Sequence, residues 1–369
     1  MDNTLRSRLS QFWTEWQHDL FPFLREEEHL DLTPTLEQLI RVLEFVEIEL
    51  FISSSQGWVG RPPKDRIAIA RAFVAKSVLN LPTTEALIDR LQVDRALRRI
   101  CGFKEFKTIP DASRFSRAFA ELTAQNVPAW VHEALIRTQL GDQLICHIAR
   151  DATEIEAREK PVAKPAVEEI PAPPKKRGRP RKGEERPREQ TAIERQVNQS
   201  VTQSLEELPQ ACDVGTKTNS KGFKESWVGY KLHIDTADGD IPITAILTSA
   251  SVHDSQVAIP LTRLTGDRVT SLYDLADSAY CSGILRQVSR EAGHVPLIDH
   301  NPRRGPKIEF APHEAERYKA RSQAERVNSH LKDHHGGCSV WVRGHAKVYT
   351  HLMFGILVIA AEQILRLLC

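Results

Sequence analysis

Apolar residues recur at three- and four-residue spacing in Leu36, Leu39, Ile40, Leu43 and Val46, and again in Ile67, Ala70, Phe73 and Val74. That period puts each set on one face of a helix. No convincing alternating run appears before about Gln139. Pro62-Pro63, Leu81-Pro82-Thr83-Thr84 and Ile109-Pro110-Asp111 each precede a plausible helix start. Residues 1–139 are therefore expected to form an all-α domain.

The pattern changes at Leu144-Ile145-Cys146-His147-Ile148-Ala149-Arg150-Asp151, a short apolar run suited to a buried strand that ends in a carboxylate. Tyr230 to Asp235 alternates, Asp238-Gly239 supplies a turn, and Ile241 to Leu247 continues as the second strand of a hairpin. A helix fits Ser255 to Leu264. Leu272 to Asp277 and Val295 to Asp299 read as further strands ending in acids, with helices filling the C-terminus. The expectation is α+β overall, with residues 140–369 forming a mixed β-sheet flanked by helices. A stretch from Glu154 to about Thr218, rich in Pro, Glu, Lys and Arg, reads as a disordered basic insertion (about 155–218) within this domain, with a short helix open as an alternative over Thr191 to Leu208. The apolar run Leu352 to Ala361 is interrupted by Glu362 and Gln363, too short to span a bilayer of about 20 residues, and reads as a buried helix.

The chain has 369 residues, 41% of them apolar, which fits two soluble domains with ordinary cores. Net charge is only +1, so a nucleic-acid partner is announced by local basic runs and not by the total. The six cysteines show no C-x-x-C spacing and the polar N-terminus has no apolar signal core, which points to a reducing cytoplasm and away from a membrane.

The chemistry concentrates at Tyr318-Lys319-Ala320-Arg321-Ser322-Gln323-Ala324-Glu325-Arg326-Val327-Asn328-Ser329-His330-Leu331-Lys332. On a continuous helix Tyr318, Arg321, Glu325 and Lys332 fall within an arc of roughly 60°. That face presents a phenol, two cations that can hold phosphates and a carboxylate that can hold a hard metal. Asp151 and Asp277 at strand ends could add two more carboxylates, although aspartates also close strands and cap helices for structural reasons alone.

The spacing Tyr, two residues, Arg, three residues, Glu, six residues, Lys resembles the signature of DDE transposases of bacterial insertion sequences. Arg150-Asp151-Ala152-Thr153 resembles their first acidic strand, and Ala276-Asp277-Ser278-Ala279-Tyr280 their second acidic segment, with Ala279 in place of the commoner Gly. Asp274 competes for the second acid, and the resemblance selects Asp277. It extends over residues 144–151 and 227–368, and more loosely over 81–122. It implies an RNase H-like sheet without a large β-rich insertion between Asp277 and Glu325. It also implies a catalytic triad of Asp151, Asp277 and Glu325 holding two Mg²⁺ ions, replaceable by Mn²⁺. Asp151 would bridge both ions and the other two acids would hold one each. Arg321 and Lys332 would clamp phosphates of a DNA end, and Tyr318 would contact the same backbone. The partners implied are terminal inverted repeats and target DNA, in a bacterial cytoplasm associated with the nucleoid, with a homodimer bridging two ends. Two other classes remain open: an RNase H-like nuclease that cleaves without joining, and a noncatalytic DNA-binding derivative.

Two basic segments add candidate DNA contacts. Lys175-Lys176-Arg177-Gly178-Arg179-Pro180-Arg181-Lys182 resembles an AT-hook, in which Arg177 and Arg179 would enter a narrow minor groove; its alternative is a charged solubilising linker. His300 to Lys307, with Arg303 and Arg304, reads as a basic turn near the acids. Thr83 to Arg99 fits either a helix-turn-helix that reads DNA ends or an amphipathic pair packed into the helical core. His330, His334, His335 and Cys338 do not have the spacing of a zinc finger. Asp254, in His253-Asp254-Ser255, is expected to cap the helix after it in preference to binding metal.

Overall fold

The computed structural model describes residues 32–52, 65–162, 189–218, 221–302 and 306–368. Arg177, Arg179, Arg303 and Arg304 lie outside the described residues.

The chain opens with helices α1 (Pro34–Val46), α2 (Arg66–Val78), α3 (Thr84–Val93), α4 (Arg95–Ile100), α5 (Ala112–Ala124) and α6 (Val127–Leu140). The punctuation read from the sequence acts as capping. Asp65, Thr83 and Asp111 each accept a backbone N–H of the first turn of the helix that follows. Helices α3 and α4 bury Leu87, Leu91, Leu97 and Ile100 and are joined by Asp94 alone, not by the three- or four-residue turn of a helix-turn-helix. This is the packed-pair alternative.

Six strands follow: β1 (Leu144–Glu156), β2 (Asp213–Thr218), β3 (Lys224–Ala237), β4 (Ile241–Ser249), β5 (Thr270–Ala276) and β6 (Val295–Ile298). Strand β1 runs antiparallel to β3 and parallel to β5, which is parallel to β6. The long β3 pairs with β2 along its first half and with β4 along its second. It changes partner at Gly229, whose φ is 153° and where a Cβ would strike the Ile155 carbonyl. This mixed sheet, preceded by helices and flanked by them, is the α+β, RNase H-like arrangement expected.

Helices α7 (Ala192–Gln196), α8 (Val201–Glu207), α9 (Ala258–Gly266) and α10 (Gly283–Glu291) cover one face of the sheet. Helices α11 (Pro312–Tyr318), α12 (Ser322–His334) and α13 (His345–Leu368) complete the chain. Alternation along the strands divides the core: Ile246 of β4 packs with Val257, just before α9, and with Leu261 of α9, while its neighbours Ala245 and Leu247 pack with Leu352 and Ile356 of α13. Helix α13 is apolar all round because both sides are covered. Its other side, Phe354, Leu357 and Ala361, joins the core of the N-terminal helices, where Phe73 meets Phe115, Phe119 and Phe354 at 5.1–5.8 Å. Length and composition alone would let α13 cross a membrane, but in this fold it is the core helix.

Three expectations need correction. The insertion is narrower than 155–218, because β1 runs on to Glu156 and residues 189–218 are folded. Its trailing flank holds two capping boxes, at Thr191 and Ser200, and strand β2, whose Gly215 lies beneath Trp227 of β3. The Pro- and Lys-rich centre masked these local signals. Second, Tyr318 and Glu325 do not share one α-helix: α11 ends at Tyr318, a 3₁₀ turn spans Lys319–Arg321, and α12 starts at Ser322. Third, Asp151 is the eighth residue of a 13-residue strand and does not end it.

Candidate active site

The parallel register of β1 and β5 pairs Arg150 with Ala276, so the next residues, Asp151 and Asp277, emerge side by side. Asp277 closes β5 and its Oδ1 accepts the Ala279 N–H at 2.9 Å, capping the turn Ser278–Tyr280. It therefore has the bland capping role and still faces Asp151. Burial first, and then the Asp277 charge, push the Asp151 carboxyl up to about 6, against the lowering effects of the Ala152 N–H, Arg321 and Asn328. The Asp277 carboxyl is also raised, by burial and by Asp254 and Asp299, while Arg321 opposes this.

Helix α12 brings the third acid. Ala324, Val327, Asn328 and Leu331 form its buried face, and Asn328 Nδ2 donates to Asp151 Oδ2 at 3.0 Å. Glu325, one turn earlier, stands at the edge of that face and is paired with Arg321. The Arg321 guanidinium is raised above its ordinary value: burial opposes its charge, but Glu325, Tyr318 and Asp151 outweigh burial. Arg321 thus links all three acids electrostatically.

The remaining signature residues hold protein groups. Tyr318 Oη donates to the Ala276 carbonyl at 3.2 Å, its ring packs on Phe310 at 4.7 Å, and burial raises its hydroxyl to about 12. It braces the end of β5 immediately before Asp277. Lys332 donates to Glu154 Oε1 at 2.7 Å, and Lys217 approaches the same oxygen at 2.9 Å. Burial opposes ionisation of Glu154, yet these two lysines hold its carboxyl at about 2.

Sequence reasoning gave no site role to Asp254, Asp299 or Asn328. Asp254 does not cap α9; His253 holds the cap of the 3₁₀ turn Asp254–Gln256, and the Asp254 carboxylate accepts from Lys231 at 2.9 Å while raising Asp277. Asp299, paired with Lys307 at 3.2 Å, is the other acid beside Asp277. Asn301 Nδ2 reaches the Ser278 carbonyl at 3.5 Å, so the leading end of the basic turn lies against the turn that Asp277 caps. Asn328 had a readable signal, one helical turn beyond Glu325.

The donor set suits hard divalent cations: clustered carboxylates whose ionisation is penalised by burial and by one another, with the Asn328 Oδ1 buried and without a hydrogen-bond partner. Asp151 carries a stability consequence in the metal-free protein. Its folded-state value of about 6 exceeds the ordinary 3.8, so between these values the folded chain binds more protons and stability falls as pH rises. With chelator present, Asp151→Asn should be more stable than wild type above pH 6, by up to about 3 kcal/mol, and equal to it below about pH 4. Urea unfolding at pH 4 and 7.5 measures this. A less stable variant at pH 7.5 would show that Arg321 and Asn328 outweigh burial.

A family model described as "Transposase DDE domain" matches residues 142–360, and one described as "Transposase domain" matches residues 23–121. No curated protein and no solved structure matches the chain.

Proposed function

Because the chain belongs to the DDE-domain transposases of insertion sequences, we propose that it binds the ends of its element, hydrolyses DNA there to free 3′-hydroxyls, and joins those hydroxyls to target DNA. The observation that carries this reading is the pair Asp151 and Asp277 on adjacent parallel strands, faced by Arg321 and Glu325 from the helical layer.

In the first step water attacks phosphorus and the 3′ oxygen leaves; in the second the freed 3′ oxygen attacks a target phosphodiester and expels another 3′ oxygen. The second step exchanges one phosphodiester for another, so it needs no external energy source. Asp151, Asp277 and Glu325 would hold two divalent cations, Mg²⁺ or Mn²⁺. When bound, such ions activate the attacking oxygen and neutralise charge at phosphorus.

The chain's own groups bind and orient. Arg321 can exchange Glu325 for a DNA phosphate once that carboxylate is otherwise engaged, and its planar fork suits the phosphate oxygens. Lys332 and Lys217 share one carboxylate at Glu154, leaving this corner with an excess of positive charge that favours the backbone of a DNA end. Tyr318 holds the β5 end so that Asp277 keeps its place. Arg177, Arg179, Arg303 and Arg304 would extend this basic path, with two protomers bridging two ends.

Labelled DNA carrying the flanks of the native gene tests the reading. Wild type with Mg²⁺ should cleave at the element end and join it to target, while Glu325→Gln binds but does neither. Cleavage without joining would favour a nuclease; binding without either reaction would leave a noncatalytic DNA-binding protein.

A further inference from the structure

His330, His335 and Glu362 lie where the C-terminus of α12 meets α13, and each offers one ligand atom within 4.8 Å of the others. His335 is 4% exposed, and its Nδ1 lies 3.2 Å from the Ser77 carbonyl of α2. A carbonyl only accepts, so Nδ1 carries the proton and donates it. The bare lone pair is therefore on Nε2, which points to Glu362 Oε2 at 3.6 Å and has no hydrogen-bond partner. That separation is too long for a hydrogen bond. The other oxygen, Glu362 Oε1, accepts from Gln38 Nε2 of α1 at 2.6 Å. The His330 ring stands 4.7 Å from that of His335.

This arrangement is not an ion pair. Burial raises the Glu362 carboxyl to about 7 and lowers the His335 imidazole to about 4, and it lowers His330 too. An orphaned buried nitrogen is costly unless something fills the space before it. An imidazole that donates one N–H to a backbone carbonyl while the other nitrogen stays bare is the form metal-binding histidines take, and Gln38 gives the carboxylate the matching outer partner.

We infer that His330, His335 and Glu362 form a binding site for a transition-metal cation of the zinc class, with water in the fourth position. Two imidazoles and one carboxylate favour such an ion over Mg²⁺, which prefers oxygen donors. Ligands about 2.0–2.2 Å from zinc lie roughly 3.3 Å apart, so the three donors need close by no more than about 1.5 Å. Of the four residues His330, His334, His335 and Cys338, whose spacing is not that of a zinc finger, His334 and Cys338 are exposed, and the third ligand, Glu362, comes instead from α13, 27 residues after His335. Gly355 permits the meeting, because a Cβ there would lie 2.6 Å from the His335 carbonyl. A bound ion would clip the helix that carries Glu325 to α13 and α1. The inference is independent of the DNA chemistry.

The test uses the full chain in an Asp277→Asn background, stripped with chelator and dialysed, then titrated with Zn²⁺ and Co²⁺. One Zn²⁺ should bind per chain by calorimetry and elemental analysis, and Co²⁺ should give the intense visible bands of a four-coordinate site. Glu362→Gln and His335→Gln should each weaken Zn²⁺ binding by more than about 100-fold, beyond the loss that follows removal of an outer partner. His334→Ala should bind as the background does. Absence of stoichiometric Zn²⁺, six-coordinate Co²⁺ spectra, or undiminished binding by a Glu362→Gln protein with native circular dichroism would each overturn the site. If the variants do not fold, the Co²⁺ spectrum of the unaltered triad decides.

Discussion

Asp277→Asn is expected to lower strand cleavage by at least about 10³-fold, equivalent to roughly 4 kcal/mol of transition-state stabilisation, while DNA binding stays within about threefold. The amide keeps the volume and can still accept the Ala279 N–H that caps the following turn. It cannot supply the second negative charge beside Asp151. Because burial and the neighbouring acids raise the Asp277 carboxyl, its ionised form destabilises the metal-free fold at neutral pH. The variant should therefore unfold no earlier than wild type in chelator, which separates lost chemistry from lost structure. The competing acid in the sequence, Asp274, cannot replace it: its carboxylate is buried 3.4 Å from Arg150 on the other side of the strand. Gel-resolved cleavage of labelled end DNA in Mg²⁺, beside a filter-binding assay, gives both numbers. Residual cleavage above about one tenth of wild type would move the metal to Asp254 and Asp299, the acids that flank Asp277.

The elements were legible where local pattern and tertiary environment agree. Thr83 and Asp111 announced helices that the core then accepted, and the alternation in Tyr230 to Asp235 marked a strand with two differently covered faces. Strand β2 was not legible, since Asp-Val-Gly-Thr-Lys-Thr has little apolar content and becomes a strand only by pairing with the first half of β3. The break between Tyr318 and Ser322 was hidden for a similar reason: no Gly or Pro marks it, and it is packing of Tyr318 against Phe310 and the β5 end that sets α11 off from α12. The three candidate acids were readable through spacing and resemblance. Asp254 and Asp299 were not, because their relation to the site depends on strand order, which no local run encodes; Asn328 could be placed one helical turn beyond Glu325, but not against Asp151 without the seat of α12.

Asp235→Ala is expected to cost about 3–5 kcal/mol of stability, the range for removing one partner of a buried ion pair. Along β1, Arg150 projects to the face opposite Asp151, where its Nε and Nη2 donate to the two Asp235 oxygens at 2.8 and 2.9 Å. The side chains of Arg150 and Asp235 are 5% and 0% exposed, and Thr265 Oγ1 also donates to Asp235 at 2.8 Å. Burial disfavours the guanidinium charge, but Asp235 and Asp274 outweigh it and hold Arg150 above its ordinary value. Without Asp235, a buried cation keeps the longer contact to Asp274 and the face of the Tyr280 ring, and the Thr265 hydroxyl loses its charged acceptor. Asp235 and Arg150 are also register partners between β3 and β1, so the strand that carries Asp151 loosens at the residue beside it. Cleavage should fall with stability, and both should recover in part when Arg150→Met is added, because an apolar pair no longer leaves a charge unpaired. Urea denaturation of the single and double variants measures the coupling. A single variant within about 1 kcal/mol of wild type would mean that Asp274 alone neutralises Arg150, and that the strand holds Asp151 without the pair.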